Sequence, residues 1–241
     1  MRKKSEEGLV LKGIVTDIDG TITDSWRRIH TGAIQAIRDR VDNGSEVILA
    51  SGNTACFMDA LCRMIGTSGS FIGENGGIYR IGYGNVPVVL GDQTVCRIAL
   101  ETLVDHFRRS GTELDLYSPT YRFADLAFAK TVSVPEVREV LADIPVQVLD
   151  TGFAIHLQAP GISKGTTFTH MVAEMGLSPA GFLATGDAQN DIDLLVSAGV
   201  GVAVGNAHPD AARAADWVSK NSYGEGFVEA IQRYSAYFRE R

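Results

Sequence analysis

Short apolar runs separated by polar, glycine-rich breaks dominate the first eighty residues. Leu9-Val10-Leu11 and Ile14-Val15 lead into Asp17-Ile18-Asp19-Gly20-Thr21, Val47-Ile48-Leu49-Ala50 empties into Ser51-Gly52-Asn53-Thr54, and Phe71-Ile72 runs into Gly73-Glu74-Asn75-Gly76-Gly77. Runs this short, bounded by turn residues, read as buried strands. Between them the apolar spacing lengthens to three and four. Ile34, Ile37 and Val41 share one face of a helix predicted over Thr31 to Val41, closed by Asn43-Gly44. Thr54 is placed as the N-cap of a second helix that carries Phe57, Leu61 and Ile65 inward. Strands alternating with helices predict a doubly wound, parallel α/β sheet.

The pattern changes near residue 83. Gly82, Gly84, Asn85 and Pro87 form a breaker cluster, and Val95, Ile98, Leu103 and Phe107 then mark an amphipathic helix. Tyr121 to Ala129 and Val146 to Gln158 read as strands around a short helix from Pro135 to Ala142. This order predicts a smaller α+β module inserted over residues 83–159, dividing a Rossmann-like core made of residues 1–82 and 160–241. After Ala159-Pro160-Gly161 the α/β rhythm resumes, with a strand over Val200 to Val204, a helix over Pro209 to Ala215 and a closing helix over Phe227 to Tyr237.

Residues i and i+2 of a strand project to the same side, so Asp17 and Asp19 can face one point, with Gly20 letting the backbone turn away. Two carboxylates so placed repel unless a cation or a shared proton compensates them. The pair fits a Mg2+ site with one nucleophilic carboxylate and one general acid/base, and it equally fits a solvated turn. Three further pieces follow in order: Ser51 at a strand end, Lys164 in Gly161-Ile162-Ser163-Lys164-Gly165, and Asp187 and Asp191 in Gly186-Asp187-Ala188-Gln189-Asn190-Asp191. Ligands of such sheets bind at the carboxyl ends of the strands, where these residues fall.

Asp, Ser/Thr, Lys and Asp-x-x-x-Asp in that order resemble the four motifs of the haloacid dehalogenase-like (HAD) phosphohydrolases over nearly the whole chain. An insertion between the second and third motifs is similar to the C2-type cap of that superfamily. The small cap and the Gly-Glu-Asn-Gly-Gly run resemble the archaeal phosphoglycolate phosphatases, relatives of the Cof-type and sucrose-phosphate phosphatase groups. Many relatives carry Arg where this chain has Asn53, though the archaeal branch tends to carry Asn.

The resemblance implies a Mg2+-dependent phosphomonoesterase working through an aspartyl-phosphate on Asp17, with 2-phosphoglycolate as the expected substrate. Asp19 would be the general acid/base and lend its backbone carbonyl to the metal. Asp187 would be a metal ligand, and Asp191 a direct or water-mediated one. Ser51, the amides of Gly52 and Asn53, and Lys164 would hold phosphate oxygens, with Asn190 orienting Lys164 or touching phosphate. Gly20 and Thr21 would shape the first loop through their amides, and Asn206 would help shape the site. Arg122, beside a predicted strand, is the preferred contact for a substrate carboxylate over Arg97 and Lys130. Asp92, Asp115, Asp125 and Asp150 read as surface charges, and His156 as structural. The alternatives are a sugar-phosphate phosphatase of the sucrose or mannosyl type, a phosphomutase, or a non-catalytic phospho-acceptor module. Receiver-type acceptors lack both a cap and an acid/base two residues after the nucleophile. A dinucleotide site would need a Gly-x-Gly-x-x-Gly turn, which the first strand does not precede.

Composition narrows the partners. Among 241 residues, 45% hydrophobic and 21% charged describe a globular chain with a full core. A net charge of −7 argues against a nucleic-acid surface, and the basic start Arg2-Lys3-Lys4 precedes no long apolar stretch, so neither a signal peptide nor a membrane span is expected. Cys56, Cys62 and Cys96 show no metal or redox spacing and read as buried free thiols of a cytoplasmic protein. The expected partner is a small phosphorylated metabolite, and a homodimer is left open.

Overall fold

The computed structural model describes residues 8–239, so the Arg2-Lys3-Lys4 start lies outside the described residues. Strand β1 (Gly13–Asp17) is buried at every position, and its side chains alternate between two cores. Ile14 packs in one core with helices α1 (Thr31–Asp42) and α2 (Ala55–Ile65), whereas Val15 packs in the other with α5 (Lys164–Glu174) and α6 (Ile192–Ser197). Burial on both faces explains why the strands read as continuous apolar runs.

The large sheet has eight strands. On one side of β1 lie β2 (Glu46–Ala50) and β3 (Phe71–Gly73), both parallel, and then β4 (Ile78–Arg80) and β5 (Val88–Val89), which close that edge antiparallel. On the other side follow β9 (Phe182–Gly186), β10 (Val200–Ala203) and β11 (Trp217–Val218), all parallel. The chain thus leaves β1 in one direction first and returns on its other side later. The reversal opens a crevice beyond the carboxyl ends of β1 and β9. Helices α7 (Pro209–Ala214) and α8 (Tyr223–Arg233) complete the layers. Among the described residues no helix is long and apolar enough to cross a membrane.

Between β5 and α5 lie α3 (Gln93–Arg108), α4 (Val134–Val140) and a three-stranded antiparallel sheet of β6 (Asp125–Ala129), β7 (Gln147–Asp150) and β8 (Ala154–Gln158), ordered β6-β8-β7. Cys96, Ala99, Leu103 and Phe107 on α3 pack with Phe128, Val137, Ile155 and Leu157 in a third core separate from the first two. The large sheet itself continues past residue 82, since β5 pairs with β4.

Several local expectations are corrected. Phe57 is 46% exposed, because it lines a cavity while Ala55 and Met58 of the same turn pack into the core. Ile98 is 51% exposed, the buried stripe of α3 running through Cys96 and Ala99. The segment Tyr121–Ala129 is extended only from Asp125, since Pro119–Tyr121 forms a 3-10 turn. Val146 to Gln158 is a hairpin whose break falls at Thr151-Gly152-Phe153. The closing helix begins at Tyr223 and ends at Arg233. Cys62 and Cys96 are buried, but Cys56 is exposed on the first turn of α2.

Candidate active site

Asp17 ends β1, and Asp187 follows the last residue of β9, so adjacent parallel strands deliver both to the crevice. Asp191 comes from the 3-10 turn Gln189–Asp191 that precedes α6. One carboxylate oxygen from each of these three lies within 4.8 Å of the others. Lys164, the first residue of α5, is buried and donates to Asp17 Oδ1 at 2.6 Å and Asp191 Oδ1 at 2.7 Å. Ser163 caps that helix by accepting from Thr166 N, which fixes where Lys164 starts.

Asp191 and Asp187 are oriented from behind. Asp191 Oδ2 accepts from the amides of Asp187 and Ala188 (3.1 and 3.0 Å), and Asp187 Oδ1 accepts from the Thr21 hydroxyl (3.0 Å). Gly20 has φ +90°, and a Cβ there would come within 2.5 Å of Asp187 Oδ2, so only glycine lets the first loop pass this close. Asn206 pins the same loop, donating to the carbonyl of Gly20 at 2.9 Å.

Charge is unbalanced at this point, with three carboxylates facing one ammonium. Burial, and next the nearby Asp191, push Asp17 well above the usual carboxylate range, although Lys164 pulls the other way. Burial and Asp191 also push Asp187 up to about 7. Burial alone would lower the Lys164 ammonium, but Asp17 and Asp191 hold it above its ordinary value. Asp17 Oδ2 is buried and has no hydrogen-bond partner. An orphaned acceptor within an excess of carboxylates is the donor set that a hard divalent cation requires.

A cavity of about 380 Å³ opens above this cluster. Asp17, Asp19, Ser51, Gly52, Asn53, Lys164 and Asn190 line it from the core, and Arg122 from the inserted module. Asp19 Oδ2 accepts from Asn53 Nδ2 at 3.0 Å, and the same amide donates to Ser51 Oγ at 2.8 Å. Asn190 donates to Asn75 Oδ1 at 2.9 Å, while Lys164 is engaged by the two aspartates. Arg97 and Lys130 lie apart from the cavity, bonded to Gln93 and Asp150 respectively.

The roof shows what sequence reasoning missed. Asp125 is fully buried and not a surface charge. It accepts from Arg122 Nη1 at 2.5 Å and faces His156 Nδ1 at 2.8 Å. Burial would raise Asp125, yet His156 and Arg122 hold it below the ordinary carboxylate value. Arg122 also donates to the carbonyls of Gly52 (3.2 Å) and Tyr117 (2.9 Å), tying the inserted module to the loop after β2. Glu74 makes the second tie, with its carboxylate accepting from the amides of Phe123, Ala124 and Asp125. Glu74 and Asn75 both have positive φ (49° and 54°), rare for residues with side chains, and they are held there by amide bonds to Asn53 O and Ser51 O. The available signal was the position of Glu74-Asn75 in a glycine-flanked loop at a strand end.

The haloacid dehalogenase-like hydrolase profile matches residues 14–123 and 136–231. This chain belongs to that family. It is 56% identical over 234 residues to a protein of Methanoculleus marisnigri named phosphoglycolate phosphatase, covering 96% of this chain and 100% of that one. It is 47% identical over 226 residues to the phosphoglycolate phosphatase of Methanospirillum hungatei, covering 93% and 97% of the two chains. Among solved structures, a protein of Thermoplasma acidophilum superposes with a TM-score of 0.83 at 25% identity, covering 94% of this chain and 99% of that one. The HAD assignment matches the motif order read from the sequence, and so does an α/β core joined to an additional small sheet.

Proposed function

We propose that this HAD hydrolase cleaves phosphate monoesters through Asp17 and that 2-phosphoglycolate is its substrate. One observation carries the reading: a buried carboxylate with one oxygen held by Lys164 and the other without a partner, at the floor of a cavity roofed by the inserted module. The names of the two archaeal relatives support the choice of substrate.

The orphaned Asp17 Oδ2 and the surplus of carboxylates suit Mg2+, which Asp17 and Asp187 would hold with Asp191, directly or through water, and the main-chain carbonyl of Asp19. When bound, the ion neutralises phosphate charge that would otherwise repel the nucleophile. Asp17 forms a bond to phosphorus as the ester P–O bond breaks, giving an aspartyl-phosphate. The Asp19 carboxyl gives its proton to the leaving oxygen, then takes one from the water that hydrolyses the acyl-phosphate. Asn53 keeps the Asp19 side chain in place for both transfers. Ser51, the amides after it and Lys164 hold the phosphate oxygens, and Lys164 offsets charge that grows on them in the transition state. Arg122 supports this loop through the carbonyl of Gly52.

Phosphate release from 2-phosphoglycolate, sugar phosphates and p-nitrophenyl phosphate, with Mg2+ and with EDTA, tests the reading. Wild type is expected to prefer 2-phosphoglycolate and to need the metal. Asp17→Asn is expected to lose at least about ten-thousandfold in rate. Full activity in Asp17→Asn would remove the nucleophile assignment, and preference for a sugar phosphate would replace the substrate.

A further inference from the structure

Four basic side chains line the cavity: Arg27, Arg122, His156 and Lys164. Three are matched by acids, Lys164 by Asp17 and Asp191, and Arg122 and His156 by Asp125. Arg27 alone among them has no carboxylate partner among the described residues. Its guanidinium lies over the ring of Phe153, 3.7 Å from the centroid. Phe153 sits at the hairpin break between β7 and β8 and lines the same cavity. A ring face orients a guanidinium without neutralising it, and stacking uses the face while the N–H edge stays able to meet a carboxylate.

The backbone is built to hold Arg27 there. Asp24 Oδ1 accepts from the amides of Trp26 and Arg28 (2.9 and 3.0 Å), and Arg27 N donates to Asp24 O at 3.0 Å. Thr23 and Ile29 bridge the base of this turn. Within it the exposed Arg27 has φ 63°, a left-handed conformation uncommon for residues other than glycine, which the Asp24 turn holds. The turn belongs to the loop that begins with Asp17 and Asp19, so one segment carries both ends of the cavity's charge pattern: acids at the floor, an uncompensated cation toward the inserted module.

We propose that Arg27 receives a second anionic group at the far end of the substrate, so that the cavity selects phosphate monoesters of hydroxy acids over monoesters of uncharged alcohols. This inference rests on the phosphatase reading above and adds the residue that reads the carboxylate. A substrate carboxylate at Arg27 would also bring its far end against Phe153, engaging the inserted module and the core together.

The test compares kcat/KM for 2-phosphoglycolate with that for 2-hydroxyethyl phosphate, the same two-carbon skeleton with the carboxylate replaced by an uncharged hydroxymethyl group, in Mg2+. The readout is the ratio of the two. In Arg27→Gln the ratio is expected to fall about tenfold or more, the size of one charge-assisted pair, with the loss appearing mainly as a raised KM for 2-phosphoglycolate. Arg27→Lys, which keeps the charge, is expected to hold a higher ratio than the Gln variant. A smaller fall in Arg27→Gln, or equal ratios in the two variants, would overturn the inference while leaving the phosphatase reading intact. A wild type without preference for the carboxylated ester would overturn the substrate reading, and the role of Arg27 with it.

Discussion

Lys164 is the side chain on which the charge balance of the site turns. Its ammonium is buried between Asp17 and Asp191, so removing it leaves two carboxylates facing each other out of water. Breaking such an arrangement from one side costs about 3–5 kcal/mol. Lys164→Met is therefore expected to lower the urea midpoint sharply in EDTA and to abolish phosphate release. Unchanged stability would mean that the two acids share a proton when Lys164 is gone. Lys164 was picked out in the sequence only by its place in the order of motifs, because a lone Lys beside glycine carries no local sign of burial. Asp125 shows the same limit in reverse: one Asp at a strand start reads as surface until the fold sets Arg122 and His156 against it.

The loop after β3 joins core to inserted module. Gly76 has φ +105°, and a Cβ there would run into the main chain at Ser163, the cap of the helix that begins with Lys164. Two residues earlier, Glu74 accepts from three amides of the module. Burial, and then Asp125, raise Glu74 from 4.5 to about 7. Below pH 4.5 the carboxyl is protonated folded or unfolded. Between 4.5 and about 7 the folded state keeps the proton that the unfolded chain releases, so this stabilisation is lost as pH rises through that window. The change amounts to at most about 3 kcal/mol. Glu74→Gln is expected to flatten the fall in stability between pH 4.5 and 7 relative to wild type, measured by urea unfolding across pH. An identical slope in both proteins would show that Glu74 is ionised throughout. Elements with strong periodicity were legible, as in α1. The register of α3 was not, since Ile98 and Cys96 are equally apolar and only the module's sheet decides which faces inward.

At the scale of the whole molecule, a cation would offset repulsion among carboxylates that arrive from distant parts of the chain. A ligand that binds the folded state alone stabilises it by mass action. Saturating Mg2+ is expected to raise Tm by about 5 °C or more over EDTA, and Asp187→Asn to lose most of that gain. No shift in wild type by differential scanning calorimetry would argue against a metal at this cluster. The sequence by itself determined the alternation of strands and helices and the strand-end residues, because these follow from local periodicity and turn chemistry, whereas pairing in space carries the large sheet past residue 82 to β5. Only the tertiary structure decided which charges are compensated. Arg122 and His156 share Asp125, Lys164 bridges Asp17 and Asp191, and Arg27 stacks on the ring of Phe153 with no carboxylate partner among the described residues. Burial and pairing are properties of neighbours in space, and the residues that set them here stand up to 147 positions apart along the chain.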